Sequence, residues 1–191
     1  MEQVLEKPFS EIVSVRDDIA VAECYKDLVK NNNLEVSKGK FITVLSSSNK
    51  KTSFGFISKV FNSSIDNIHR PSALGLGIEE MQNIQPQIFE LLKKEIEIIL
   101  LPSGVSNIMI HDFVYFATNE QILKLTEDFS EIISCVKKSQ IPPEVLVDLI
   151  RQGYELRENN YSYLVSVCKE ASLYFADEAD VLMNLLKKLT P

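Results

Sequence analysis

The sequence predicts an α+β protein: a small N-terminal β-barrel with a helical excursion, followed by a C-terminal helical bundle. Three observations lead there. Short β-branched segments separated by turn residues crowd into roughly the first 60 residues. A stretch of about 30 residues, too long for a plain loop, then separates them from one further strand. Beyond Pro102-Ser103-Gly104 the apolar residues change their spacing, from every second position to every third and fourth.

The strands read in order. Ile12 to Val15 and Ile19 to Ala22 flank a tight turn at Arg16-Asp17-Asp18. Asn31-Asn32-Asn33 is a loop, and Leu34-Glu35-Val36 leads into the turn Ser37-Lys38-Gly39-Lys40, where glycine accepts a positive φ. Phe41 to Leu45 is a β-branched apolar strand, Ser46 to Lys51 a polar turn, and Phe54 to Phe61 a loosely alternating strand. Glu95 to Leu101 alternates acid and isoleucine at its start, as a half-buried strand does. Five or six such strands joined by tight turns fit a closed or nearly closed barrel, which removes exposed edges. The excursion between Phe61 and Glu95 holds a short helix at Ile78-Glu79-Glu80-Met81. A second helix is expected from Pro86 through Leu92, since proline fits a first helical turn.

The remainder is helical. Thr118-Asn119-Glu120-Gln121 is a capping box, opening a helix whose inner face is Ile122, Leu125, Phe129, Ile132, Ile133 and Val136. Glu127-Asp128 then falls in mid-helix on the solvated side. Ile141-Pro142-Pro143 breaks that helix. A second runs from about Glu144 to Tyr154, a third from Tyr161 to Phe175, and a last carries Val181, Leu182, Leu185, Leu186 and Leu189 inward, with Asp177 as its cap. The organisation is therefore residues 1–104 as barrel with a helical insertion at 69–94, and residues 105–191 as a linker strand (Ile108 to Phe116) and the bundle.

Composition excludes several functions. The 191 residues carry 20 Lys+Arg against 27 Asp+Glu, a net charge of −7. Residues 1–104 hold 12 basic and 14 acidic side chains, and residues 105–191 hold 8 and 13. Stand-alone duplex DNA binding needs a basic surface that releases counterions, which this balance opposes. No stretch approaches the roughly 20 apolar residues that cross a bilayer, and the N-terminus has no apolar signal core. Cys24, Cys135 and Cys168 are far apart and odd in number, without metal-ligand spacing. They read as small core residues in a reducing, cytoplasmic setting.

Little of the chain looks catalytic. No G-x4-G-K-[ST] string occurs, so ATP hydrolysis by this chain alone is not expected. His111-Asp112 has the composition of a base pair, but neighbours on a strand point to opposite faces and no nucleophile is identifiable. No cofactor or metal site is predicted. Lys38, Lys40, Lys50, Lys51 and Lys59, with His69 and Arg70, are the residues available for a local nucleic-acid patch, and Phe41, Phe54 and Phe56 for base stacking. Phe113, Tyr115 and Phe116 lie between barrel and bundle, where aromatics serve either as packing or as anchors for a partner.

The string from Arg70 to Pro102, RPSALGLGIEEMQNIQPQIFELLKKEIEIILLP, resembles the segment that closes the N-terminal barrel of HerA-type proteins, the HAS barrel. The preceding Glu11 to Val15, Ile19 to Ala22, Val36 to Val44 and Phe54 to Val60 are similar to that barrel's initial strand pair and its two glycine-bearing strands. The likeness covers about the first 102 residues. In that family a RecA-like ATPase core with Walker motifs follows the barrel, whereas here a helical segment takes its place. The resemblance implies a non-catalytic accessory or adaptor subunit of a HerA-type DNA-translocating complex, in DNA processing, repair or phage defence. Its implied partners are a HerA-type P-loop ATPase and a nuclease. Its contacts would lie on the barrel rim and the Ile78–Leu92 excursion, it would be oligomeric in the complex, and any DNA contact would be indirect or weak. Ile88, Phe89, Phe113 and Tyr115 are the expected interface anchors. Two other readings remain open: a single-stranded nucleic-acid-binding small barrel, and a metal-dependent nuclease using carboxylates such as Asp112 or Glu80.

Overall fold

A computed structural model of the chain describes residues 7–26, 35–64, 75–87, 92–104 and 107–189. Six strands form one closed antiparallel barrel: β1 (Ser10–Arg16), β2 (Ile19–Cys24), β3 (Phe41–Leu45), β4 (Thr52–Ser64), β5 (Leu92–Leu100) and β6 (Phe113–Phe116). Their order around the barrel is β1-β2-β5-β4-β3-β6. The short helix α1 (Ile78–Ile84) lies between β4 and β5. Five helices follow the barrel: α2 (Asn119–Leu125), α3 (Ser130–Lys138), α4 (Pro143–Glu155), α5 (Tyr161–Tyr174) and α6 (Ala179–Leu189).

Alternation and two bulges explain how so few strands close. On β1, Ile12 pairs with Ala22, but Ser14 pairs with Val21, so Val13 is an extra residue. The insertion flips parity, and both Ile12 and Val15 point into the interior opposite Ala22 and Ala20. On β4, Ser58 is the extra residue: Ile57 pairs with Ile98 and Lys59 with Glu97, so Ile57 and Val60 both face inward. The buried Ser58 hydroxyl turns back on its partner strand, donating to the Glu97 carbonyl at 3.0 Å and contacting its carboxylate at 2.8 Å. Bulges increase local twist and curvature, which a small barrel requires.

The interior is filled by Phe9, Ile12, Ile42, Val44, Ile57, Ile96, Ile98, Leu100 and Val114 with the small Ala20 and Ala22. A second core lies outside the barrel wall. Ile19 pairs with Ile99, Ile99 with Phe56, and Phe56 with Phe41, giving one outward apolar rung across four strands. The helices cover it: Phe41, Phe56, Ile99 and Leu101 share a cluster with Phe129, Ile133, Val145, Leu149, Leu164 and Leu185. Barrel and helices are therefore joined by a continuous hydrophobic contact.

Three sequence expectations change. The segment read as a linker contains β6, which pairs with both β1 and β3 and closes the barrel, so the barrel runs past residue 104 to Phe116. β5 starts at Leu92 rather than Glu95, because Leu92 to Lys94 continue the ladder with Ser64 to Asn62. Of the residues expected to form a second excursion helix, Gln87 is helical and Leu92 is strand; Ile88 to Leu91 lie outside the described residues, as do Asn31 to Asn33. The helix expected through Ile122 to Val136 is two helices. The Thr126 hydroxyl donates to the Ile122 carbonyl at 2.7 Å, and Asp128 Oδ1 accepts from the Ser130 N–H at 2.8 Å. These local bonds end α2 and start α3, as short polar side chains do at helix termini. The Thr118–Gln121 capping box is present in full, and Asn160 caps α5. Asp177 pairs with Lys137 at 3.0 Å, two residues before α6.

Candidate functional site

The apolar rung under the helices has a counterpart four residues further along the strands, about 13 Å away at strand rise. There Phe113 pairs with Glu11, Glu11 with Glu23, Glu23 with Glu95, and Glu95 with Phe61. Like charges directly opposite on neighbouring strands repel, and each glutamate has its own donor or cation. Glu11 accepts from Tyr25 Oη at 3.1 Å and meets His111 Nδ1 at 2.6 Å. Glu23 pairs with Lys93 at 2.6 Å, and Glu95 accepts from Ser63 Oγ at 2.5 Å. Burial and then the Glu11 bond push the Tyr25 phenol up to about 12, so it stays a donor.

Beside this rung the barrel presents apolar side chains to solvent. Phe113 is 37% exposed, Val13 at the β1 bulge 38%, and Met109 and Ile110 more than half. They gather because a turn docks on β1. The His111 N–H donates to the Ile12 carbonyl at 2.9 Å, and the Ile12 N–H to the Asp112 carbonyl at 3.0 Å. The fully buried Asp112 holds that turn. Its Oδ1 accepts from the Ser47 N–H at 2.8 Å and the Ser47 hydroxyl at 2.5 Å, and its Oδ2 from the Met109 N–H at 2.8 Å. The carboxylate ties the β3–β4 turn to the entrance of β6. His111, at φ +75°, carries the strain of this geometry.

Phe113 is thus an exposed side chain on the barrel wall, as an interface residue must be. Tyr115, on the same strand, is only 9% exposed. Ile88, Phe89, His69 and Arg70 lie outside the described residues. The exposure of Val13, Met109 and Ile110 escaped the sequence reading. Its only trace there is an apolar Met109-Ile110 pair standing directly before a His-Asp turn.

The lysines do not form one basic groove. Lys38 and Lys40 flank Gly39 at one end of β3 and line a cleft with Glu35, Asp148 and Glu155. Lys50 and Lys51 lie beyond the other end of that five-residue strand, about 17 Å away. Lys59 is bridged to Glu97 at 3.0 Å. The aromatics expected to stack bases are engaged elsewhere. Phe41 and Phe56 are 1% and 0% exposed beneath the helices, and only Phe54 at the margin of that cover is part-exposed. A stacking platform needs open ring faces, so this part of the expectation is corrected. Among the described residues no group of three His, Cys, Asp or Glu side chains is placed to hold a metal. Nor, among them, is any helix long and apolar enough to cross a membrane. The three thiols are free. Burial holds all of them above the ordinary thiol range, Cys24 and Cys135 at about 11.

No protein-family model matches the chain, and no curated protein matches it.

Proposed function

We propose that the chain is a non-catalytic accessory subunit that docks on a HerA-type DNA-translocating ATPase complex in the cytoplasm, in DNA processing, repair or phage defence. The observation that carries the reading is the exposed apolar patch of Val13, Met109, Ile110 and Phe113 on the wall of a closed barrel. Exposed aromatic and aliphatic side chains gathered on a rigid element are the usual anchors of protein interfaces. The HerA resemblance of the Arg70–Pro102 string supports the reading from the sequence, and the helices, read as a bundle, cover the wall through Phe41, Phe56 and Ile99. The groups that looked most catalytic are committed to structure: the Asp112 carboxylate accepts three bonds that hold a turn, and His111 is joined to Glu11.

The test is co-expression of the tagged chain with its genomic neighbours, followed by isolation on the tag. Stable recovery of an oligomeric ATPase is expected. Ile110→Asp and Phe113→Asp are expected to abolish recovery while leaving the melting temperature near that of the parent. Recovery unaffected by both substitutions refutes the patch as the contact.

A further inference from the structure

A wide cleft lies where the helical cover of the barrel ends. It measures about 580 Å³ and is bounded by the start of β4, the turn after β5, and α2 with the head of α3. Its apolar part is Phe54 and Leu125, both part-buried against the helical core. Phe54 and Phe56 point outward two residues apart on β4. The helices bury Phe56 entirely and stop short of Phe54, which leaves part of that ring at the cleft.

Around this apolar floor stand Glu120, Asp128 and Glu131, against Lys124 as the lone cation in the lining. Two of the carboxylates are fixed in place. Glu131 grips Ser103 through its N–H at 2.5 Å and its hydroxyl at 2.6 Å. Asp128 is held by the Ser130 N–H, and the Ser130 bonds keep its carboxyl below the usual range, so it carries charge at neutral pH. Glu120 sits in the first turn of α2 and Lys124 one turn later. An aromatic floor under a net acidic rim suits a cation with an apolar stem and a flat, delocalised charge. The stem lies along apolar surface while the head meets both the ring and the carboxylates.

We infer that this cleft receives an arginine side chain presented by a partner protein, with the guanidinium against Phe54 and hydrogen-bonded within the carboxylates of Glu120, Asp128 and Glu131. That a protein supplies the arginine rests on the accessory-subunit reading; the cleft itself does not.

The experiment is a titration of the isotopically labelled full chain, followed by amide NMR, with N-acetyl-arginine methylamide. The citrulline analogue, of the same shape without the charge, and spermidine are run in parallel. The arginine compound is expected to shift the amides around Phe54, Lys124, Leu125 and Asp128 in a saturable way, and citrulline to leave them unmoved. Glu120→Gln, at an exposed position, is expected to weaken binding by about tenfold, as loss of one charged contact does. Phe54→Leu is expected to weaken it similarly while the dispersed spectrum shows the fold retained. Equal shifts from arginine, citrulline and spermidine, or shifts elsewhere on the surface, overturn the inference. The tagged co-expression separates the two proposals. Saturable arginine binding without ATPase recovery leaves the cleft standing and removes the accessory reading. ATPase recovery unchanged by Glu120→Gln, with no arginine shifts, does the reverse.

Discussion

Replacing Asp112 by asparagine decides whether the most catalytic-looking residue of the chain is structural. Asp112 is fully buried, and three donors converge on it from Ser47 and Met109. An asparagine keeps one oxygen. The two Ser47 bonds hold that oxygen at the Oδ1 position, which sets the new NH2 group against the Met109 N–H. One charge-assisted bond is lost, at about 1.5–3 kcal/mol, and two donors then face each other. Ser47 and Met109 are themselves exposed, so water relieves part of the cost. We expect a net loss of about 2–3 kcal/mol. In a chain of this size that lowers Tm by roughly 4–12 °C. The assay is urea denaturation of parent, Asp112→Asn, Ser47→Ala and the double variant at pH 7. The double variant is expected to lose clearly less than the two singles added together, because the Ser47 hydroxyl bond that one substitution removes has already lost its charged acceptor in the other. A single Asp112→Asn cost below about 0.5 kcal/mol, within the range of an ordinary surface change, would refute the clamp and return the carboxylate to the list of candidate catalytic groups.

Gly153 faces α5, and a Cβ there would stand 2.2 Å from Tyr163 Oη and 3.0 Å from Thr126 Cβ. Gly153→Ala should therefore lower stability by about 1–3 kcal/mol, although alanine is the better helix former; an unchanged or raised Tm contradicts this packing. Phe56→Ala should cost about 3–5 kcal/mol because the ring is wholly enclosed, whereas Phe113→Ala should cost about 1 kcal/mol or less; similar losses at both sites would show that Phe113 is core. Burial first, then the neighbouring Asp128, hold the Glu170 carboxyl above its usual range. An acid raised on folding costs stability as pH climbs from its unfolded to its folded pKa, and the cost persists above that. Glu170→Gln should thus stabilise the protein at pH 7, with the gain shrinking as pH falls through the raised Glu170 pKa. Denaturation midpoints that differ equally at pH 7 and at about pH 4 would contradict the sign.

The barrel and the helices were legible because their signals are local. Ile19, Ala20 and Ala22 alternate with the sheet, Thr118 and Gln121 sit at capping distance, and Pro142-Pro143 stops one helix before starting the next. What the sequence hid depends on partners distant along the chain. Nothing within Ile108 to Phe116 says that four of its residues complete a barrel, because β6 pairs with strands about 70 and 100 residues earlier. The two bulges are equally silent, since Val13 and Ser58 become extra residues only by comparison with β2 and β5. The break between α2 and α3 was visible in principle: Thr126 and Asp128 are both side chains that bond the local backbone. The apolar spacing runs straight across them and conceals it. Phe41, Phe54 and Phe56 look alike as strand aromatics, and only the placement of the helices separates two buried rings from one at a cleft.

The most direct measurement is the solution mass of the tagged chain co-expressed with its genomic neighbours. An accessory subunit predicts a stable, multimeric species containing a P-loop ATPase. A lone monomer of 21.7 kDa contradicts that account.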